Sequence, residues 1–122
     1  MQTQTLHNTK EWDVLFTASN VWRVGVYRPR FRSRSEISEL EEHTCPEAFL
    51  LIAGSVTLFY RKDDGSLAEK KLIPMELTIV TEPHAGFSPN LDGVAFVIEN
   101  AVFTTTYTDV HTSQVTRQVS VK

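Results

Sequence analysis

Positions 27–35 read YRPRFRSRS, which sets an arginine at every second residue: Arg28, Arg30, Arg32 and Arg34. Guanidinium is charged at any ordinary pH and grips carboxylates and phosphates through two parallel hydrogen bonds. Alternate side chains of an extended chain share a face, so this row would turn four cations to one side. Such a row needs anions, either from a ligand or from the acids that follow it, Glu36, Glu39 and Glu42. The next stretch, EEHTCPE at 41–47, places Glu41, His43, Cys45 and Glu47 at one parity. On a single strand those four would converge. An imidazole among carboxylates can hold a metal, move a proton or form a structural pair, and the stretch alone leaves all three open. Glu47 leads into the apolar run AFLLIA, so its burial is expected. A buried carboxylate requires a cation, a metal or a network of donors. Cys45 reads first as a small buried apolar side chain.

The strand rhythm supplies a scaffold for these groups. Short β-type runs recur at about eight- to twelve-residue intervals between turn residues, as in a sandwich or barrel. Trp22, Val24 and Val26 alternate with Arg23, Gly25 and Tyr27, which predicts a half-buried strand with the even-numbered apolar set inward. If that parity continues, Arg28 and Arg30 reach the mouth of the barrel, although Pro29 favours an edge or a bulge there. AFLLIAG (48–54) and SVTLFYR (55–61) follow, and Asp64-Gly65 marks a hairpin whose return strand is LAEKKLI (67–73). LTIV (77–80), VAFVIE (94–99) and FTTTYTDV (103–110) have the β-branched and aromatic content of strands. SRSEISELEEH (33–43) fits two descriptions. Ser33 with Glu36 matches a capping box, which favours a helical turn, but an extended segment containing Glu41 fits equally.

At 122 residues the chain has the length of one domain, with a core barrel expected over about 20–110 between polar extensions. The two ends (1–10 and 111–122) are expected to fray or to serve in assembly. A formal net charge of −3 argues against nucleic acid as the main partner. One cysteine excludes an internal disulfide and suits a reducing compartment. No apolar run has the length of a membrane span and no leader pattern opens the chain. A cytoplasmic protein without a membrane partner is the expectation.

From Glu41 to Leu58 the chain reads EEHTCPEAFLLIAGSVTL. This resembles the first motif of the cupin superfamily, small jelly-roll β-barrels in which two histidines and a glutamate bind a metal. His43, three residues, Glu47, six residues and Gly54 keep the family's spacing, while Glu41 stands where the first histidine belongs. TIVTEPHAGFSPN (78–90) is similar to the second motif, with His84 as its histidine and Met75-Glu76 in place of the usual glycine-aspartate lead-in. The resemblance implies an all-β, cupin-type jelly-roll β-barrel. It implies a metal set of His43, Glu47 and His84, with Glu41 as a fourth member, suited to Fe(II), Mn(II), Ni(II) or Zn(II). The activity it implies is that of a metal-dependent enzyme (dioxygenase, isomerase, decarboxylase or lyase) acting on a small carboxylate-bearing or sugar-like molecule. Arg28 and Arg30 would then hold an anionic small molecule beside the ion. Many cupins keep the barrel without the ion, so a metal-free binding or regulatory module is the alternative. Pairing into a homodimer is implied as well.

Overall fold

Valine, isoleucine, threonine and aromatic residues alternate with polar ones through most of the chain, and the pattern resolves into strands. The computed structural model describes residues 1–6 and 9–121. Its strands are β1 (Trp12–Ala18), β2 (Trp22–Tyr27), β3 (Glu39–His43), β4 (Glu47–Ala53), β5 (Thr57–Arg61) and β6 (Leu67–Lys71). They continue as β7 (Leu77–Val80), β8 (His84–Phe87), β9 (Val94–Asn100), β10 (Phe103–Asp109) and β11 (Val115–Val121). All pair antiparallel in two sheets, of order β1-β2-β9-β4-β7 and β11-β10-β3-β8-β5-β6. The architecture is the jelly roll expected. The expected closed barrel, however, is two facing sheets: β1 and β7 remain edges of one, β11 and β6 of the other. No helix among the described residues is long and apolar enough to cross a membrane.

The main core lies between the sheets. Phe49, Leu51, Ala95 and Val97 from the five-stranded sheet meet Val56, Leu58 and Leu72 from the other side. Gly54 makes the turn from β4 toward β5 at φ +65°, and a Cβ there would stand 2.1 Å from the Asp92 carbonyl oxygen. The Asp64-Gly65 hairpin forms as expected: Gly65 has φ +88°, and the Ser66 amide donates to the Asp64 carboxylate at 2.9 Å.

A second cluster, Ile37, Leu40, Phe59, Phe87 and Val110, lies at the opposite parity of the six-stranded sheet. The chain itself contributes its cover, through the segment around a single 3-10 turn (Arg34–Glu36). Ser33 bonds Ser35 instead of capping that turn, and the Glu36 carboxylate accepts from the Arg32 amide at 2.8 Å. The helical reading therefore ends at one turn, and Glu41 belongs to strand β3. Both chain ends also carry more structure than expected. β1 and β11 lie outside the 20–110 limits, and β11 pairs with β10 along its length.

The parity of β2 is the opposite of the expected one. Arg23, Gly25 and Tyr27 face the other sheet, while Trp22 and Val24 face outward. Packing decides this: the Trp12 ring lies over Gly25, where a Cβ would approach it to 2.3 Å. Tyr27 meets Phe49 edge to face at 6.4 Å.

Candidate metal centre

The chain changes sheets between His43 and Glu47. β3 ends at His43 in the six-stranded sheet, Thr44–Pro46 cross over, and β4 starts at Glu47 in the five-stranded sheet. Glu41, His43, Cys45 and Glu47 therefore do not line one strand, as the parity reading had them. Instead His43 and Glu47 face each other across the gap. His84 opens β8 directly opposite Glu41 in the β3 register. Three segments thus aim four side chains at one place.

The Nε2 atoms of His43 and His84 each stand 3.0 Å from Glu47 Oε1. Glu41 Oε1 lies 3.6 Å from the first and 3.7 Å from the second. The rings are aimed from behind. His84 Nδ1 donates to the Glu82 carbonyl at 2.9 Å, because a carbonyl can only accept. His43 Nδ1 meets Thr105 Oγ1 at 2.7 Å. Ring nitrogens held this way leave Nε2 pointing into the site, the usual arrangement behind a metal-bound histidine. Among the described residues, three buried side-chain polar atoms have no hydrogen-bond partner, and two of them are Glu47 Oε1 and His84 Nε2. Buried orphans of this kind are rare and costly. Two imidazole nitrogens and two carboxylate oxygens that converge at 3.0–3.7 Å fit a divalent cation.

Electrostatics tie the group together. Burial opposes charge on His43, but the Glu41 and Glu47 carboxylates outweigh it and raise the ring to about 10. His84 is raised in the same way, burial opposing and Glu47 prevailing. Burial alone would raise Glu47, yet the two histidines hold it well below the usual carboxylate range. Behind Glu47 stands Glu99, from β9, pushed up to about 7 by burial and by the adjacent Glu47, with Arg23 pulling the other way. Arg23 clasps the Glu99 carboxylate at 2.6 Å. Its guanidinium lies 5.1 Å from the Phe103 ring and 5.6 Å from that of Trp12. The ligand atoms of Glu41, His43 and His84 lie within 4.8 Å of one another, as do those of His43, Glu47 and Glu99.

These residues line a cavity of about 460 Å³ between the sheets. Glu41, His43, Glu47 and His84 are all brought into it. Arg28 and Arg30 are not, and their expected place at the mouth is corrected by the inverted parity of β2. Arg28 borders a separate small cavity with Val26, Asp13 and Gln4, and Arg30 donates to the Thr9 carbonyl. Arg32 and Arg34 meet protein groups, the Pro89 carbonyl and Glu69. Cys45 is buried outside the cavity lining, with its thiol pushed up by burial. Sequence reasoning passed over Arg23, Tyr27 and Glu99. Their signal was present: a lone acid in the apolar run VAFVIE, and a polar set alternating with Trp22 and Val24. Gly86 makes room for Tyr27, whose hydroxyl would stand 2.5 Å from a Cβ at that position.

No protein-family model matches the sequence, and no curated protein matches it. Solved structures share its fold. Fe(II)-HppE with the alternative substrate (S)-1-HPP aligns at a TM-score of 0.54 and 14% identity, over 73% of this chain and 48% of that one. An uncharacterised conserved protein with a double-stranded beta-helix domain, from Klebsiella pneumoniae subsp. pneumoniae, aligns at 0.52 and 10%, over 89% and 81%. A sugar phosphate isomerase from a cupin superfamily, from Silicibacter pomeroyi, aligns at 0.51 and 16%, over 80% and 68%. The chain thus spans about half the length of the first of these. At such identities the likeness establishes the architecture alone, a double-stranded β-helix.

Proposed function

We propose that this chain binds one divalent metal ion through His43, Glu47, His84 and Glu41 and is a metal-dependent enzyme for a small molecule. The observation that carries the reading is the convergence of two Nε2 atoms and two carboxylate oxygens from three strands, each nitrogen within 3.0–3.7 Å of both oxygens. Fe(II), Mn(II), Ni(II) and Zn(II) all suit this donor set. A bound ion would supply Lewis-acid polarisation of a substrate oxygen.

The chain's own residues then divide the remaining work. Glu82 and Thr105 orient the two imidazoles. Arg23 and Glu99 brace Glu47 from behind, so the guanidinium serves the site from within. Trp12, Tyr27 and Phe103 close the apolar side of the cavity and limit water there. Five glutamates and two arginines line the space. A carboxylate-bearing or sugar-like substrate would therefore need the charge of the ion to offset those acids.

Elemental analysis of protein purified without chelator tests the reading. About one equivalent of metal is expected in the wild type and a small fraction of that in His43→Ala and Glu47→Gln. A wild type no richer in metal than the two variants overturns it. The second reading, a metal-free binding module, rests on the mutual neutralisation of His43, His84, Glu41 and Glu47 without an ion. It predicts that small acids or sugars raise the melting temperature in the presence of chelator.

A further inference from the structure

One cross-strand row of the six-stranded sheet runs from the site out to solvent. The registers set Arg117 of β11 beside Tyr107 of β10, Tyr107 beside Glu41 of β3, and Glu41 beside His84 of β8. All four residues line the cavity. Along the row the His84 side chain is 4% exposed, that of Glu41 37% and that of Arg117 55%. The cavity therefore opens on the β11 side, and a guanidinium stands at the opening.

The two arginines of the cavity are held differently. Arg23 gives Nε and Nη2 to Glu99 at 2.7 and 2.6 Å, so its fork is occupied. Arg117 lies 3.8 Å over the Tyr107 ring, a stack that sets the plane of its fork. A guanidinium has five N–H donors. Among the described residues Arg117 commits one of them, to Glu39 Oε1 at 3.4 Å, which is long for such a bond. Glu39 also accepts from the Thr116 hydroxyl. Most of the Arg117 fork is open to the cavity mouth.

From this placement we infer that Arg117 grips a terminal carboxylate of the substrate while the substrate's other end lies on the ion. The inference rests on the metal reading and narrows it, selecting a two-ended acid over a neutral sugar. A planar fork matches a carboxylate through two parallel hydrogen bonds. Strands lie about 4.8 Å apart, so the guanidinium over Tyr107 stands roughly 5–10 Å from the ligands on β3 and β8, the span of a dicarboxylic acid of about four to six carbons. Glu39 repels such an anion, and the divalent charge beyond it supplies the offsetting attraction. Arg117 is thus the residue that sets specificity at the mouth, a role that Arg28 and Arg30 are too far from the cavity to fill.

Isothermal titration of the metal-loaded protein is the test. Malate and its next two homologues carry a hydroxyl beside one carboxylate and a second carboxylate at the far end. Each is titrated against the hydroxy monoacid of the same length. At least one diacid is expected to bind the wild type about tenfold more tightly than its monoacid. Arg117→Gln is expected to erase that ratio and to keep the metal content and circular-dichroism spectrum of the wild type. Arg117→Lys, which keeps the charge without the fork, is the second variant should the first fail to fold, and it is expected to lower the ratio. Arg28→Gln, outside the cavity, is expected to keep it. A ratio near one for every pair in metal-loaded wild type overturns the inference and leaves the metal reading standing. So does a ratio that survives the Arg117 substitution or falls in Arg28→Gln. Wild type that takes up no metal overturns the metal reading, and this inference with it.

Discussion

The space between the sheets has two halves built by the same strands. On β4, Phe49 and Leu51 point into the apolar half, while Glu47, one inward step earlier, points into the charged half. On β9, Ala95 and Val97 belong to the core and Glu99 to the cavity. Two residues along a strand are about 7 Å. Over that distance the interior passes from close-packed aliphatic carbon to a cluster of acids and imidazoles. The two halves carry opposite liabilities. The apolar half contributes burial, at about 25 cal/mol per Å² of apolar surface. The charged half contains Glu47, His84 and Glu99, all nearly inaccessible, and buried charges cost several kcal/mol each unless paired or bound to an ion. Stability and site chemistry should therefore respond to different substitutions.

The separation can be broken most severely from the apolar side. Leu58, 2% exposed, has no part in the cavity lining. Leu58→Ala is expected to lower unfolding free energy by about 2–5 kcal/mol, measured by denaturant titration, with the metal bound per folded molecule unchanged. Metal lost in proportion to stability would show that the halves are one unit. From the charged side, Glu47→Gln is expected to weaken metal affinity by at least about 100-fold, because even groups behind the ligands are worth ten- to a hundredfold. Competition with a fluorescent chelator reads that change, and circular dichroism should show the sheet content preserved.

Two further measurements sharpen the comparison. Thr105→Val removes the partner of His43 Nδ1 and keeps the side chain's shape, so affinity is expected to fall about tenfold, with little change in melting temperature. Acidity acts on the same ring. His43, held protonated up to about 10 by Glu41 and Glu47 against the opposing effect of burial, must lose its proton before it can bind an ion. Apparent affinity should therefore rise with pH, by about tenfold per unit for each proton released, throughout the range below about 10. Isothermal titration in buffers of different ionisation enthalpy would count those protons, and a flat profile would remove His43 from the ligand set.

Much of this was legible in the residues. The strand rhythm, the Asp64-Gly65 hairpin and the turn at Gly54 are local matters, governed by β-branched content and by φ values that glycine alone takes freely. Glu41, His43, Glu47 and His84 could be singled out because ionisable groups stand out beside an apolar run. Arg23, Tyr27 and Glu99 escaped notice because each alternates with an apolar set on its strand, Trp22, Val24 and Val26 on β2 and Phe96 and Ile98 on β9. There an alternating strand reads equally well with either set inside.

Sequence by itself determined that Trp22, Val24 and Val26 share one side of a strand and Arg23, Gly25 and Tyr27 the other. A period of two says nothing about which side meets the second sheet. Tertiary structure decided it: Trp12 closes over Gly25, Tyr27 fits against Phe49 and Gly86, and Arg23 finds Glu99. The same holds for His43 and Glu47, whose spacing in the chain conceals a passage from one sheet to the other. Facing positions are set by how two sheets lie on each other, through contacts between residues far apart in sequence, and these local alternation does not encode.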